Sequence, residues 1–257
     1  MVFKYTKYDR NTYGTTIPSE VKSLGDKCFK ECSLLTTINI PSSITKIGSY
    51  CFKGCSLLTT INIPSSISKI GSYCFYNCDS LTTINIPSSV ISIGDLCFIG
   101  CSSLTSINID NLQYISKERI FMNEPVLISI EIPDNLQIIN GKNIFKKDIN
   151  EFIIPSSITK LGDGCFSNCD SLTTINIPSS ISEIGNYCFY GCYSLKSINI
   201  PSSVISIGDE CFYECTSLTS INIPSSISEF GWECFCECGC EEELKKNKTI
   251  PRDCFNK

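Results

Sequence analysis

The sequence predicts a repeat solenoid of about ten rungs, each built from short parallel β-strands and closed by a short helical turn. Proline recurs every 23 residues, and phenylalanine keeps the same spacing. One unit has too little apolar surface to fold alone, so neighbouring units must stack. The repeated prolines are Pro18, Pro41, Pro64, Pro87, Pro133, Pro155, Pro178, Pro201 and Pro224, with Asp110 at the missing step. The repeated phenylalanines are Phe29, Phe52, Phe75, Phe98, Phe121, Phe145, Phe166, Phe189, Phe212 and Phe235.

One unit shows how each element arises. Residues 58–63 read LTTINI, and their apolar alternation predicts a strand with one buried face. Pro64 ends this first strand because it has no N–H to donate. Residues 65–71, SSISKIG, predict a second apolar segment that ends where Gly71 permits a turn. Residues 72–78, SYCFYNC, place two cysteines and a phenylalanine at the spacing of one helical turn.

The domain organisation follows from where the repeat holds. Residues 1–17 are expected to form an N-terminal cap, residues 18–240 the solenoid and residues 241–257 an acidic and polar tail. Residues 110–154 are irregular: they lose the cysteine pair and shift the spacing by one residue. The N-terminus has no apolar signal segment, and no apolar run reaches the roughly 20 residues of a membrane span, which predicts a cytoplasmic protein.

Composition and charge exclude several functions. The 257 residues contain no histidine and carry a net charge of −5, concentrated in residues 151–257 with fourteen acidic and seven basic side chains. Without histidine the usual catalytic dyads are unavailable, and without a basic stripe nucleic-acid binding is disfavoured. The NGKN at residues 140–143 lacks the upstream glycine of a phosphate-binding loop. We therefore predict a non-enzymatic protein without a cofactor.

The repeated word L-x-x-I-x-I-P-x-x-I-x-x-I-G-x-x-C-F-x-x-C resembles the BspA-type leucine-rich repeat, whose familiar form has Ala-Phe in place of Cys-Phe. The resemblance covers roughly residues 15–240. It implies a right-handed leucine-rich-repeat superhelix without catalysis. Several members of the family are described as surface adhesins of bacteria and protozoan parasites, so the resemblance also implies macromolecular binding.

Sixteen of the nineteen cysteines form two columns that bracket the repeated phenylalanine. We expect small, buried thiols, because free cysteine packs as a small hydrophobe. Disulfides are the alternative, but stacked parallel side chains do not match the roughly 90° torsion that a disulfide prefers. The first column is Cys28, Cys51, Cys74, Cys97, Cys165, Cys188, Cys211 and Cys234; the second is Cys32, Cys55, Cys78, Cys101, Cys169, Cys192, Cys215 and Cys238.

The remaining cysteines lie near the C-terminus. Cys236 is expected to face solvent, and with its neighbours it raises the alternative of a soft-metal site, although C-x-C-x-C-x-C is not a zinc pattern. A cap closed with help from Trp232 is the preferred interpretation, with no metal. Cys254 stands fourth from the end, where a C-a-a-X box would be prenylated, but CFNK fits that motif only partly. An exposed thiol on a frayed tail is preferred over lipidation.

Two surfaces could bind a partner. Neutral hydrogen-bonding residues form columns on the strand side, and tyrosines cluster beside the Cys-Phe pair on the turn side, where aromatic side chains favour interfaces. The alternatives are that the strand-side residues only hydrogen-bond to one another, and that the tyrosines are exposed singly without a binding role. The strand-side residues are Thr37, Asn39, Thr60, Asn62, Thr83, Asn85, Thr174, Asn176, Asn199 and Asn222; the turn-side residues are Tyr73, Tyr76, Tyr190 and Tyr213.

The predicted function is a macromolecular-interaction scaffold that binds a protein, with glycan or extracellular matrix as further partners. The alternative is a cell-surface adhesin, anchored to the plasma membrane if Cys254 is lipidated. Thiolate metal binding by the C-terminal cysteines is a remote alternative. The sequence does not identify the partner, and it leaves open whether the irregular middle binds or has drifted.

Overall fold

The computed structural model describes residues 4–115, 119–123, 126–133, 135–143 and 154–255. The chain forms two compact units: unit 1 contains residues 1–113 and 130–149, and unit 2 contains residues 114–129 and 150–257. Together they hold about nine turns of a parallel β-solenoid, which confirms the predicted fold class. One residue of the predicted phenylalanine column, Phe145, lies outside the described residues.

Unit 1 begins with a cap and continues as two sheets whose strands are parallel except for one hairpin. The helix of the cap starts at Thr6, whose hydroxyl accepts from the Asp9 N–H while the Asp9 carboxylate accepts from the Thr6 N–H. The cap contains β1 (Lys4–Tyr5) and α1 (Lys7–Tyr13). β1 continues into a sheet of second strands, with β2 (Ser23–Leu24), β3 (Lys46–Ile47), β5 (Lys69–Ile70) and β7 (Ser92–Ile93). The sheet of first strands contains β4 (Thr60–Ile61), β6 (Thr83–Ile86) and β8 (Ser106–Ile109), followed by β12 (Ile138–Ile139) and β13 (Lys142–Asn143).

Unit 2 repeats this two-sheet plan. Where both strands lie after residue 155, the pairs keep the 23-residue register, as in the pairing of Thr174 with Ser197. The sheet of second strands contains β9 (Leu112–Ile115), β10 (Arg119–Met122), β11 (Val126–Glu131), β14 (Lys160–Leu161), β16 (Glu183–Ile184), β18 (Ser206–Ile207) and β20 (Glu229–Phe230). The sheet of first strands contains β15 (Thr174–Asn176), β17 (Ser197–Asn199) and β19 (Ser220–Ile221). A short α2 (Glu241–Leu244) and a 3-10 helix (Arg252–Cys254) follow.

The irregular middle exchanges its two strands between the sheets. Alignment on Pro133 predicts that residues 126–131 are a first strand and residues 138–139 a second strand. The structure reverses both assignments. β11 pairs with the second strand β14, and β12 pairs with the first strand β8. Asn140 and Gly141 both adopt positive φ in the hairpin between β12 and β13, as a two-residue type I′ turn requires.

The exchange buries polar groups that the regular repeat would expose. Arg119 is almost fully buried, and its guanidinium donates to the Ser129 hydroxyl and to the Ser167 carbonyl. Ser129 in turn donates to the Cys165 carbonyl. By its distance from Pro133, Ser129 would occupy a solvent-facing position of a first strand, but it is buried because β11 lies in the sheet of second strands. These hydrogen bonds satisfy the groups that burial would otherwise leave costly.

The phenylalanines form the centre of the core in each unit. Phe29 and Phe52 stack with their ring centroids 5.4 Å apart, and Phe166 and Phe189 stack at 5.2 Å. In the second cysteine column the thiol donates to the phenylalanine carbonyl of the preceding rung, so these residues are not merely small hydrophobes. The Sγ–O pairs are Cys55–Phe29, Cys78–Phe52, Cys101–Phe75, Cys192–Phe166 and Cys215–Phe189, at 3.0–3.2 Å.

The segment around Cys-Phe differs from the expected helical turn. Within residues 72–78, every second N–H donates to the next rung, whereas an α-helix would keep these donors within its own segment. These pairs are Tyr73 to Asp95, Phe75 to Cys97 and Asn77 to Ile99. Tyr73 and Asn77 adopt left-handed φ values of 55° and 56°, which fold the segment back between these bonds. The turn is therefore a third hydrogen-bonded ladder along each unit.

Gly71 is required for space rather than for an unusual φ. A Cβ on Gly71 would lie 2.3 Å from the Ser49 nitrogen and 2.6 Å from the Gly48 carbonyl carbon, both in the preceding rung. Gly54 instead has a φ of 71°, and its nearest contact would be 3.5 Å away. The repeat therefore needs glycine after the second strand because two backbones approach each other too closely there for a side chain.

The C-terminal segment forms a cap. Leu244, Ile250, Cys254 and Phe255 are buried in the core cluster of unit 2, and the Phe235 N–H donates to the Cys254 carbonyl. The predicted exposed thiol at Cys254 is therefore wrong, because residues 252–254 complete the ladder that the last turn leaves open. Among the described residues, no helix has the length and apolar character needed to cross a membrane.

Two further predictions about the last rung fail. Cys236 is buried, although residues at the same repeat position in earlier rungs, such as Lys53 and Tyr76, are partly exposed. Trp232 is 52% exposed and so does not close the core.

We expect Gly71→Ala to lower the free energy of unfolding by about 3 kcal/mol, because the added methyl group meets immovable backbone. Gly54→Ala is the matched control and should cost only about 1 kcal/mol, from its left-handed conformation. Urea denaturation followed by circular dichroism measures both. Equal losses in the two variants would contradict the requirement for space at Gly71.

Native thiols should differ sharply in reactivity. Burial raises the pKa of Cys55, Cys101 and Cys215 to about 12, so at pH 8 only roughly one thiol in 10,000 is the reactive thiolate. Cys32 is partly exposed. We expect iodoacetamide at pH 8 to label Cys32 first, and the buried columns only after denaturation. Peptide mass spectrometry reads the sites, and Cys32→Ser is the control. Rapid native labelling of Cys55 would contradict the packed turn.

Candidate interaction surface

The turn face is defined as the outward side chains at three positions of each rung: the second residue before the repeated phenylalanine and the first and second residues after it. In unit 1 this face carries a tyrosine stack. Tyr50 and Tyr73 lie parallel with centroids 4.8 Å apart, and Tyr76 lies 5.8 Å from Tyr73 at a tilt of 49°. All three rings are half-buried. The repeat therefore brings together Tyr73 and Tyr76, which the sequence singled out.

Lysines of unit 1 contact these rings. The Lys53 Nζ lies 4.5 Å from the Tyr76 centroid and 5.6 Å from the Tyr50 centroid, and the Lys27 Nζ lies 5.7 Å from the Tyr50 centroid. These distances are within the roughly 6 Å range of cation–π attraction. Neither lysine is among the binding residues predicted from the sequence, although each occupies the same repeat position as a tyrosine in another rung.

Unit 2 carries a tyrosine stack at the turn-face positions of its own rungs. Tyr190 and Tyr213 lie parallel with centroids 5.3 Å apart, and Tyr187 lies 6.1 Å from Tyr190. The Tyr193 hydroxyl donates to the Glu214 carboxylate at 2.9 Å. The predicted residues Tyr190 and Tyr213 are thus direct neighbours in adjacent rungs.

The stack of unit 2 is surrounded by negative charge instead of lysine. Burial raises the pKa of Tyr190, and Glu214, Glu210 and Glu237 add to the rise by repelling a phenolate. The pKa of Glu210 is also raised, first by burial and then by Glu233, although a hydrogen bond from Tyr187 opposes the shift. The carboxylates therefore lie close enough to the rings and to one another to interact. The sequence indicated an acidic C-terminal half without placing these groups on one surface.

The repeat spacing also assembles the strand-side columns as predicted, but several of their side chains form hydrogen bonds to other residues of the same chain. The Asn108 amide donates to the Asn85 carbonyl oxygen at 2.8 Å, and the Asn222 amide bonds both backbone groups of Ile200. Thr83 is half-buried. The other predicted residues are exposed: Thr37, Asn39, Thr60, Asn62, Asn85, Thr174, Asn176, Asn199 and Asn222.

The C-terminal cysteines give a close pair rather than a metal centre. The Sγ atoms of Cys238 and Cys240 lie 3.8 Å apart, and both residues are buried. Within the described ranges, no group of three cysteine or acidic side chains is arranged to hold a metal ion. The hydrogen bond between the pair raises the pKa of Cys238 and lowers that of Cys240.

Comparison with known proteins identifies the family to which the repeats are similar. The model of the BspA-type leucine-rich repeat region matches residues 4–125 and 141–257, in six copies. No curated protein matches. A leucine-rich repeat protein from Bacteroides ovatus is 25% identical with a TM-score of 0.38, covering 99% of this chain and 86% of its own. The pneumococcal vaccine antigen PcpA is 20% identical with a TM-score of 0.50, covering 86% of this chain and 59% of its own.

A cell surface protein from Faecalibacterium prausnitzii is 21% identical with a TM-score of 0.39, covering 85% of this chain and 81% of its own. The family model covers most of the chain, and the stacked 23-residue rungs supply the architecture it describes. The chain belongs to the BspA-type leucine-rich repeat family.

Proposed function

We propose that this protein is a non-catalytic interaction scaffold that binds a partner protein through its turn face. The observation that carries the proposal is an ordered tyrosine stack at the turn-face positions of each unit, Tyr50–Tyr73 in unit 1 and Tyr190–Tyr213 in unit 2. Tyrosine offers a large contact area with few rotatable bonds, so little conformational entropy is lost when it binds. Stacking restricts the rings before a partner arrives, and such preorganisation strengthens binding.

The turn face is a better candidate than the strand face. The strand columns consist of short neutral side chains, and two of them, Asn85 and Asn108, already hydrogen-bond to each other. The turn face instead offers rings that remain partly exposed, such as that of Tyr187, which is 37% exposed. Protein interfaces favour tyrosine over small polar residues, because excluding water from an aromatic ring contributes more to the free energy of binding.

A photo-crosslinking amino acid tests which face binds. p-Benzoyl-phenylalanine is placed at Tyr76 or Tyr213 on the turn face, and at Asn62 on the strand face as the matched exposed control. After irradiation of the cells that make the protein, we expect a discrete protein adduct from the turn-face positions and not from Asn62. Circular dichroism checks that each variant folds. Adducts from Asn62 alone, or from no position, would overturn the proposal.

We also propose that the protein works in a reducing compartment, with surface display as the alternative. The support is the thiol donors of the second cysteine column, such as Cys78 to the Phe52 carbonyl, which disulfide formation would remove. The protein is isolated from its own cells after thiols are alkylated before lysis. We expect every column cysteine to carry the alkyl group in the mass spectrum. Widespread disulfides would refute this proposal and favour a surface adhesin.

A further inference from the structure

We infer that the turn face of unit 2 binds a lysine- or arginine-rich segment of a partner protein, with the cationic side chains on the stacked tyrosines and between the flanking carboxylates. This inference rests on the proposed function and names the partner's chemistry. The binding surface, called the acidic–tyrosine face, consists of Tyr187, Tyr190, Glu210, Tyr213, Glu214 and Glu237.

The charge of this face is the first support. Three turn segments, residues 186–194, 209–217 and 232–240, contain five acidic side chains and no lysine or arginine. The four equivalent segments of unit 1, residues 26–34, 49–57, 72–80 and 95–103, contain four acidic and three basic side chains. The two units therefore present the same backbone turn with different charge balance, and only unit 2 is complementary to a basic partner.

Unit 1 provides an internal precedent for the contact. There the chain supplies its own cations, because Lys53 lies over Tyr76 and Tyr50 and Lys27 lies over Tyr50. In unit 2 the position of Lys53 is held by Tyr190, Tyr213 and Cys236, and the position of Lys27 by Tyr187, Glu210 and Glu233. A cation on the rings of unit 2 must therefore come from outside these turns.

The geometry of the carboxylates favours an organic cation. Glu214 accepts from the Tyr193 hydroxyl, and Tyr187 bonds Glu210, so tyrosine hydroxyls hold these carboxylates beside the rings. Within the described residues, no three acidic or cysteine side chains converge on a metal position. Lysine and arginine use both features at once, because the charge contacts the carboxylates while the side chain covers a ring.

The extent of the face favours a chain segment over a single small cation. The carboxylates come from two successive rungs, with Glu210 and Glu214 in one and Glu237 in the next. Rungs stack about 4.8 Å apart, while alternate side chains of an extended peptide are separated by about 6.6 Å. Flexible lysine side chains can absorb this difference, so a short extended segment can place cations in adjacent rungs.

The probe is a fluorescein-labelled ten-residue peptide of alternating lysine and serine, titrated with the full chain and followed by fluorescence anisotropy. A peptide with glutamate in place of lysine is the charge control. We expect the lysine peptide alone to bind, and its affinity to fall as salt is raised. The triple variant Glu210→Gln, Glu214→Gln and Glu237→Gln should weaken binding at least tenfold, because glutamine keeps the shape and one acceptor oxygen but removes the charge.

A matched triple variant separates specific from general attraction. Glu20→Gln, Glu229→Gln and Glu242→Gln change the net charge equally, at exposed positions away from the turn face of unit 2. We expect these changes to leave binding within twofold, whereas Tyr213→Leu should weaken it about fivefold. Equal loss in the two triple variants would overturn the inference as unspecific attraction. No peptide binding, together with intact crosslinking from Tyr213, would overturn the basic partner but leave the proposed function standing.

Discussion

The fold depends on hydrogen bonds between rungs that repeat at a spacing of 23 residues. Three ladders carry them: one through the first strands, one through the second strands and one through the Cys-Phe turns. The turn ladder is the most demanding, since alternate N–H groups must point to the next rung and the intervening residues must turn the chain. Left-handed residues such as Tyr73 and Asn77 meet this demand. Once the spacing is fixed, each repeat position becomes a column.

Column formation explains why the core tolerates so little variation. The glycine after the second strand cannot be replaced without a clash, because a Cβ on Gly71 would overlap the backbone of Ser49 in the preceding rung. The second cysteine column must be small and must also donate, because its thiol bonds the carbonyl of a buried phenylalanine. An alanine there would fill less space and leave that carbonyl one partner short. Packing and hydrogen bonding therefore account for the second cysteine column.

Sequence periodicity was sufficient for the columns, because stacking at a fixed register places Phe29 on Phe52 and Tyr190 beside Tyr213 without further information. Periodicity did not predict the contacts that do not repeat from rung to rung. The exchange of β11 and β12 depends on which sheet edge is available, and the alignment on Pro133 carries no such signal. The burial of Cys254 depends on the C-terminal segment covering the last rung. The turn conformation was misjudged because helical spacing and alternate ladder bonding both place Cys74 and Cys78 inward.

The same columns that restrict the core give the surface its versatility. A substitution at one turn-face position leaves the three ladders intact, since these use backbone atoms, so charge and aromaticity can change there at little cost in stability. Unit 1 combines its tyrosines with Lys27 and Lys53, whereas unit 2 combines them with Glu210 and Glu214. One backbone turn thus supports two chemically different tyrosine surfaces. Recognition in such a protein is determined by the side chains at the turn-face positions, and the repeated core keeps these positions in register.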